Sequence, residues 1–331
     1  MTYQHTSQHL RLLLVLLLLC SIFAGLATPV IAHPSFQPGL TGQIAYVDQG
    51  DIYLLDLATG GPRRLTNDGT IGADRSNTAF TGSGTSVESS IAWSPDGALL
   101  AFTSNRTGAA DIYTLNLESG EITQITSNAV DDFASTFDPD GALVFIQTLV
   151  PWAGNGIFAE TDHLIVRHAR SGSEDVIYEQ KGQPCDPSGL SLATLTTYAL
   201  ALNCRSSVDV TLFNNGRESY LGDFVPSPCG AAIGRTYSAR NAVWAHRGKV
   251  LAFIGANCAS LDQENWQDAL FLLDLGETTP VARKVYAPNG QELLTLGWGP
   301  DDRTLVFAAS DGIWFVDTQG GIATLSHLLI F

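Results

Sequence analysis

This 331-residue chain is short of charge, and of positive charge above all. Only 15% of its residues are charged, and 17 basic residues stand against 33 acidic ones, for a net charge of −16. Phosphate backbones and anionic headgroups are held by clustered Lys and Arg, so the deficit excludes general nucleic-acid or anionic-membrane binding. The acidity belongs to the mature part, since residues 1–32 hold one Arg and no carboxylate, and it favours a soluble monomer. Catalytic signatures are missing too. There is no Gly-x-Ser-x-Gly elbow for a serine hydrolase, no His-Glu-x-x-His and no phosphate-binding Gly-x-x-x-x-Gly-Lys. No Cys-x-x-Cys pair offers zinc or thioredoxin-like chemistry. After Ala32, the histidines are His33, His163, His168, His246 and His327. His163 and His168 share a predicted strand, but their odd spacing sends them to opposite sheet faces, so no histidine metal site is expected. A sustained 3.6-residue apolar period is also absent after residue 32, which excludes a helical architecture. Disorder is excluded in turn by a hydrophobic content of 45%.

One long apolar run is present. Arg11 precedes Leu12 to Leu26, and Val30-Ile31-Ala32 follows. A basic residue, an apolar stretch and a small-residue site in that order read as a signal peptide over residues 1–32, cleaved after Ala32, with Gly25-Leu26-Ala27 as a second site. The competing reading is an uncleaved anchor, for which the run is short: a ~30 Å hydrocarbon core needs about 20 residues. Leu19 before Cys20 is not the small residue a lipoprotein signal requires. The expected location is therefore extracytoplasmic, with no stable membrane insertion after cleavage. Residues 33–41 form a short leader.

From residue 42 to 331 a unit repeats. Trp93-Ser94-Pro95-Asp96-Gly97 leads to Ala101-Phe102. The same plan recurs from Phe137 to Phe145, from Trp244 to Phe253 and from Trp298 to Phe307. Pro presets φ, Asp bonds the local backbone and Gly accepts positive φ, so the stretch is a tight turn between two strands, a and b. Then comes an Asp-led alternating segment, strand c: Asp51-Ile52-Tyr53, Asp111-Ile112-Tyr113, Asp268-Ala269-Leu270, Asp311-Gly312-Ile313, and weaker copies at Asp162 and Asp209. A Gly-containing turn and a short outer strand d, such as Arg64-Leu65-Thr66 or Gln124-Ile125-Thr126, complete the unit. Copies start near Gln43, Ile91, Ser135, Ser191, Asn241 and Leu294, with the fourth degenerate and its a–b turn at Thr194 to Thr197. Short strands at a period of about 40–50 residues mean a β-propeller. The expected fold is all-β: six blades of four antiparallel strands. The chain joins blade 1 at strand b, so the missing inner strand is expected from residues 327–331 or, alternatively, from His33 to Thr41.

The combination of Trp93-Ser94-Pro95-Asp96-Gly97, Ala101-Phe102, Ser104-Asn105-Arg106, Asp111-Ile112-Tyr113 and Gln124-Ile125-Thr126 resembles the TolB-type propeller repeat. Related repeats occur in the propellers of prolyl oligopeptidases and dipeptidyl peptidases. The resemblance covers nearly all of residues 42–331 and implies a propeller and export. It implies no ligand, and this chain shows neither the first domain of TolB nor a peptidase hydrolase domain.

Asp51, Asp111, Asp162, Asp209, Asp268 and Asp311 recur at one structural position, which favours turn residues bonding free amides over catalytic or calcium-binding carboxylates. Trp93, Trp244 and Trp298 repeat too and read as core between blades. Connection lengths are more informative. The a–b and c–d turns are nearly all minimal, whereas long connections fall at Asn67–Ser89, Gln147–Thr161, Pro226–Arg240 and Ala259–Gln267, all on the b–c/d–a face. Binding groups commonly sit on scaffold-borne loops. The candidates are Asp74, Arg75, Asp131, Asp132, Trp152, Asn155, Arg235, Tyr237, Arg240, Asp262, Glu264 and Trp266. The favoured function is a non-enzymatic binding or interaction scaffold for a protein, peptide or glycan, with no cofactor. The alternative is a propeller hydrolase or lactonase using paired carboxylates at the channel mouth, with calcium as its ion. The four cysteines beyond Cys20 allow three connectivities. Each of Cys185 and Cys229 precedes a strand a whose partner strand b ends at Cys204 or Cys258. The expected disulfides are therefore Cys185–Cys204 and Cys229–Cys258, and a turn centred at Leu195–Thr196 sets Cys185 opposite residue 206.

Overall fold

The structure, a computed structural model, describes residues 42–71, 91–149, 163–180, 185–204, 207–225, 239–257, 267–288, 292–309, 311–320 and 324–327. The expected signal peptide and leader lie outside them. The fold is a six-bladed β-propeller. Blade 1 holds β1 (Gln43–Asp48), β2 (Asp51–Asp56) and β3 (Pro62–Arg64). Blade 2 holds β4 (Ala92–Trp93), β5 (Leu99–Ser104), β6 (Asp111–Asn116) and β7 (Ile122–Gln124). Blade 3 holds β8 (Asp132–Phe137), β9 (Leu143–Thr148), β10 (His163–His168) and β11 (Glu174–Gln180). Blade 4 holds β12 (Cys185–Thr194), β13 (Thr197–Cys204), β14 (Ser207–Asn214) and β15 (Arg217–Tyr220). Blade 5 holds β16 (Arg240–Trp244), β17 (Val250–Asn257), β18 (Gln267–Asp274) and β19 (Arg283–Tyr286). Blade 6 holds β20 (Leu293–Trp298), β21 (Thr304–Ala309), β22 (Gly312–Asp317) and β23 (Thr324–His327). Each blade is an antiparallel meander. Among the described residues the helical content is a 3-10 turn at Leu221–Phe224.

Alternation in strands b and c builds the ring. Side chains two apart share a face, so each blade sends one set to each neighbour. In β17, Leu251 and Phe253 pack with Val210 and Leu212 of blade 4, while Ala252 and Ile254 pack with Leu305 and Phe307 of blade 6. In β5, Leu100 and Phe102 join Ile52 of blade 1, and Ala101 joins Phe145 of blade 3. Phe133 and Ile146 meet Tyr198 and Leu200 between blades 3 and 4. Leu55 and Leu57 of blade 1 meet Ile313 and Phe315 of blade 6, which closes the circle. The core is thus six apolar wedges between blades. The tryptophans fit this plan: Trp244 is buried against blade 4, and Trp298 Nε1 donates to the Val243 carbonyl of blade 5 at 3.0 Å. Five blades carry an aromatic pair directly across b and c: Tyr46–Tyr53, Phe102–Tyr113, Tyr198–Phe213, Phe253–Phe271 and Phe307–Trp314. Such cross-strand pairs fix register as well as adding packing energy.

First strands of successive blades touch one another, β4 with β8, β8 with β12, β12 with β16 and β16 with β20, which identifies them as the innermost ring. Outer strands β3, β7 and β15 are mostly exposed. Blade 1 has three strands among the described residues, β1 lying where strand b lies elsewhere. His327 was expected to begin the missing inner strand. Instead it ends β23, opposite Ile313 of β22, at the outer edge of blade 6. A strand that follows a c–d turn directly takes the adjacent hairpin position, and Leu325 is already paired with Trp314 in that strand. Residues 328–331 and His33 to Thr41 lie outside the described residues.

Candidate functional site

The meander fixes which connections share a face. Strand a starts, b ends, c starts and d ends at one rim, and the a–b and c–d turns occupy the other. Between described strands, the a–b connections run no longer than Ser94–Ala98, Asp138–Ala142 or Ala245–Lys249. At the opposite rim, β3 and β4 are separated by residues 65–91, β9 and β10 by 149–162, and β17 and β18 by 258–266. The 3-10 turn and β16 are separated by residues 225–239. The four longest connections between described elements therefore leave from the b–c/d–a rim, and the longest on the turn face, between β18 and β19, is residues 275–282.

The inner strands are bent at that same rim. Register shifts by one or more residues occur near the starts of β8, β12, β16 and β20. Ala134 in β8 and Asn241 in β16 hold equivalent positions, three before Phe137 and Trp244, and both have positive φ, 52° and 50°. Asn241 Nδ2 donates to the Leu294 carbonyl of blade 6 at 2.8 Å. Bulges of this kind re-aim side chains at sheet rims, and here they lie at the rim from which the b–c and d–a connections leave.

Of the twelve candidate residues, Asp131, Asp132 and Arg240 fall among the described ones. Asp74, Arg75, Trp152, Asn155, Arg235, Tyr237, Asp262, Glu264 and Trp266 lie outside them. The three that are described act as internal ties. Asp131 Oδ1 accepts the Ala110 amide of blade 2 at 3.0 Å, and its own amide donates to Thr148 Oγ1 at 3.0 Å. Asp132 has no solvent exposure. Its carboxylate accepts from Gln147 Nε2 at 2.9 Å and Asn128 Nδ2 at 2.8 Å. Burial pushes its carboxyl up to about 6, against those hydrogen bonds, with Asp111 adding repulsion. Arg240 reaches Asp268 through two bonds, Nη1 to Oδ1 at 3.0 Å and Nη2 to Oδ2 at 2.6 Å, and also donates to the Leu293 carbonyl. Asp268 accepts the Leu293 amide in return, so this cluster joins blades 5 and 6. The structure brings Asp131 and Asp132 together at one inner strand and sets Arg240 in another blade.

The recurrent Asp at the start of strand c has a defined task. Asp51 Oδ1 accepts Thr66 Oγ1 and the amides of Asp68 and Gly69, while Thr66 Oγ1 accepts the Ile52 amide. Blade 2 repeats the plan: Thr126 Oγ1 donates to Asp111 Oδ1 and accepts the Ile112 amide, and Thr107 and Gln124 donate to Asp111 Oδ2. Strand c is thereby tied to the chain leaving strand d. At Asp51 burial works against the charge, yet these hydrogen bonds and Arg64 hold its carboxyl below the usual range.

Sequence reasoning missed Arg106. It stacks over Tyr113 at 4.6 Å and Phe102 at 5.5 Å, and pairs with Asp68 at 3.4 Å. Its position in Ser104-Asn105-Arg106, on a b–c loop beside two aromatic strand positions, was the available signal. His163 and His168 do lie in one strand, the first buried and the second against Glu174 at 3.1 Å. No cluster of three or more metal-ligating side chains exists among the described residues. A groove of about 890 Å³ opens on the opposite, turn-bearing face between blades 5 and 6, lined by Val250, Glu277, Val281, Lys284, Trp298 and Gln319 among others. Charges beside it are mostly used internally: Asp302 binds His246, Arg283 binds the Thr318 carbonyl, and Arg303 faces Asp317.

Comparison with known proteins agrees with this architecture. The family model for the dipeptidyl peptidase IV N-terminal region matches residues 25–121. TolB from Acinetobacter baumannii superposes with a TM-score of 0.58 at 16% identity, covering 84% of this chain and 62% of that one. An oligogalacturonate lyase in complex with manganese gives 0.51 at 14% identity, covering 82% and 69%. A nidogen/laminin complex gives 0.53 at 10% identity, covering 86% and 93%. The chain thus spans about three fifths of the TolB structure it resembles. These likenesses, all at 16% identity or less, show the fold alone, a six-bladed β-propeller. Among them, no helix is long and apolar enough to cross a membrane.

Proposed function

We propose that this chain is an extracytoplasmic binding propeller, without catalytic activity of its own, that docks a protein, peptide or glycan on its b–c/d–a face. One observation carries the reading: the four longest connections leave from that rim, where the inner strands are also bulged. Short turns on the other face are what the scaffold alone requires, so the extra chain length is an addition to it. The buried ties support the same reading. Asp131, Asp132 and Arg240 spend their polar atoms within the fold, Asp131 on the Ala110 amide of blade 2, Asp132 on Gln147 and Arg240 on Asp268 of their own blades, which leaves recognition to the loops beyond them. A TolB protein and a nidogen/laminin complex among the structural likenesses are in keeping with interaction roles for this fold. The acid-rich composition suits a partner that is neutral or basic.

The test is site-specific photo-crosslinking in the native host. Probes at Trp152, Arg235 and Glu264 are expected to give a discrete adduct with one partner, and probes at Asp96, Asn215 and Asp301 on the turn face to give none. Adducts from the turn face alone would overturn the face assignment. Turnover of an ester, lactone or glycoside that calcium stimulates and Glu264→Gln abolishes would replace the binding reading with the hydrolase or lactonase alternative.

A further inference from the structure

We propose that Cys185 and Cys204 form a cross-strand disulfide that staples the inner hairpin of blade 4 at the loop-bearing rim. In the pairing of β12 with β13, Cys185 and Cys204 are direct Cα partners at the open end of the hairpin. A simple count from the Leu195–Thr196 turn sets Cys185 opposite residue 206. Two register shifts in β12, between Pro187 and Gly189 and between Leu192 and Thr194, each absorb one residue and move the partner to 204. Directly opposed antiparallel residues have Cα atoms roughly 4.5 or 5.5 Å apart, depending on the pair type. Both values fall inside the roughly 4.4–6.8 Å range that a disulfide spans.

Blade 4 has reason to need the staple. Its a–b turn, Thr194-Leu195-Thr196-Thr197, lacks the Pro-Asp-Gly chemistry of blade 2, so the turn contributes less to holding the hairpin in register. Its two inner-strand irregularities weaken the ladder further. A covalent link at the far end closes a loop of about twenty residues and limits the unfolded chain. In forming the bond, two thiols lose two protons and two electrons. The acceptor is a disulfide, either a small-molecule one or that of a thiol oxidoreductase, which is reduced to two thiols in exchange. Ser207, the next register partner of Cys204, begins β14 after a two-residue link, so Cys204 also sits where strands b and c join. The bond therefore anchors the rim end of three strands in one blade.

The experiment uses the purified full-length protein, reduced under native conditions, re-equilibrated in an oxidised/reduced glutathione buffer and then alkylated. No Lys or Arg lies between Lys181 and Arg205, so trypsin places both cysteines in the single peptide Gly182–Arg205. The expected result is that peptide unalkylated and lighter by two hydrogens, with the halves staying joined after further cleavage at Tyr198 until a reductant is added. With Cys229 and Cys258 replaced by Ser in both proteins, reduction is expected to lower the thermal midpoint by roughly 5 °C, and the further change C185S/C204S to abolish that difference. Alkylated or glutathionylated Cys185 and Cys204 at a poise that oxidises ordinary structural pairs would overturn the proposal. A link from either residue to Cys229 or Cys258 would overturn it as well. Because the oxidation is done on purified protein, this outcome is independent of where the chain resides in the cell. If the double serine variant fails to fold, the peptide map of the unaltered protein decides alone.

Discussion

Asp132 is a carboxylate that the fold would rather keep neutral. Its folded pKa, about 6, lies above the ordinary value of 3.8. Between those values the folded state holds more protons than the unfolded chain, so this residue's contribution to stability falls as pH rises from about 4 to about 6. Ionisation above that range costs on the order of 3 kcal/mol, taking about 1.4 per pKa unit. Asp132→Asn keeps the shape and removes the charge. It is expected to stabilise the protein at pH 8 and to change little at pH 4 relative to the unaltered chain, as measured by urea unfolding at both values. Asp51 has the opposite sign: its depressed pKa gives stability above the unfolded value, which is lost as pH falls through the folded one. Gly50 carries a different constraint. It has φ of 76° in the β1–β2 turn, and a Cβ there would lie 2.5 Å from the Gly69 carbonyl oxygen. Gly50→Ala is expected to cost about 2–3 kcal/mol, seen as a lower urea midpoint with an unchanged slope. The sequence marked Asp51 and Asp111 as recurrent, and recurrence argued for structure over chemistry. It could not show that Asp132 is sealed from water, because that depends on Asn128 and Gln147 converging from a loop and a neighbouring strand.

At the level of the blade, the repeated Asp–Thr tie gives a sharp expectation. Thr126 Oγ1 serves two groups at once, the Ile112 amide and the Asp111 carboxylate, in a buried position. Thr126→Val leaves both short of a partner, and should cost about 1–3 kcal/mol. Thr126→Ser should restore most of it. Equilibrium unfolding of the three proteins distinguishes this from a loss of packing volume, which valine does not cause. Turn chemistry and alternation made this element legible: Pro-Asp-Gly marked the a–b turns, and Asp with alternating apolar residues marked strand c. Even the weak fourth blade was found at its Thr194–Thr197 turn. Bulges were not legible. The shifts in β8, β12, β16 and β20 leave no composition signature, since Ala134 takes a left-handed backbone that its side chain does not favour. Cys204 against the counted residue 206 is the direct consequence. Candidate binding residues were legible only as a set of long connections, because what such loops recognise is fixed by their tertiary arrangement and not by a local period.

For the molecule as a whole, the six wedges between blades bear on how it unfolds. An open array of repeats frays from its ends, because terminal units have one neighbour. Here blade 1 contacts blade 2 through Ile52 and blade 6 through Leu55 and Leu57, so no blade is terminal in packing, although the chain runs once around the ring. Leu55 is fully buried in the closing wedge with Ile313 and Phe315. Leu55→Ala is expected to cost about 2–5 kcal/mol. If the ring is one cooperative unit, that loss appears as a single calorimetric transition moved down by roughly 5–15 °C, with far-ultraviolet and tryptophan signals falling together. A control in an interior wedge, Phe145→Ala between blades 2 and 3, should then produce the same kind of shift. Were closure energetically separate, Leu55→Ala would instead split off a low-temperature transition carrying about a sixth of the β signal, while Phe145→Ala would not. Cooperative closure also bears on binding. Loops rooted in different blades can present one continuous surface only if the blades hold fixed angles to one another, and the closing wedge is what removes the last freedom from those angles.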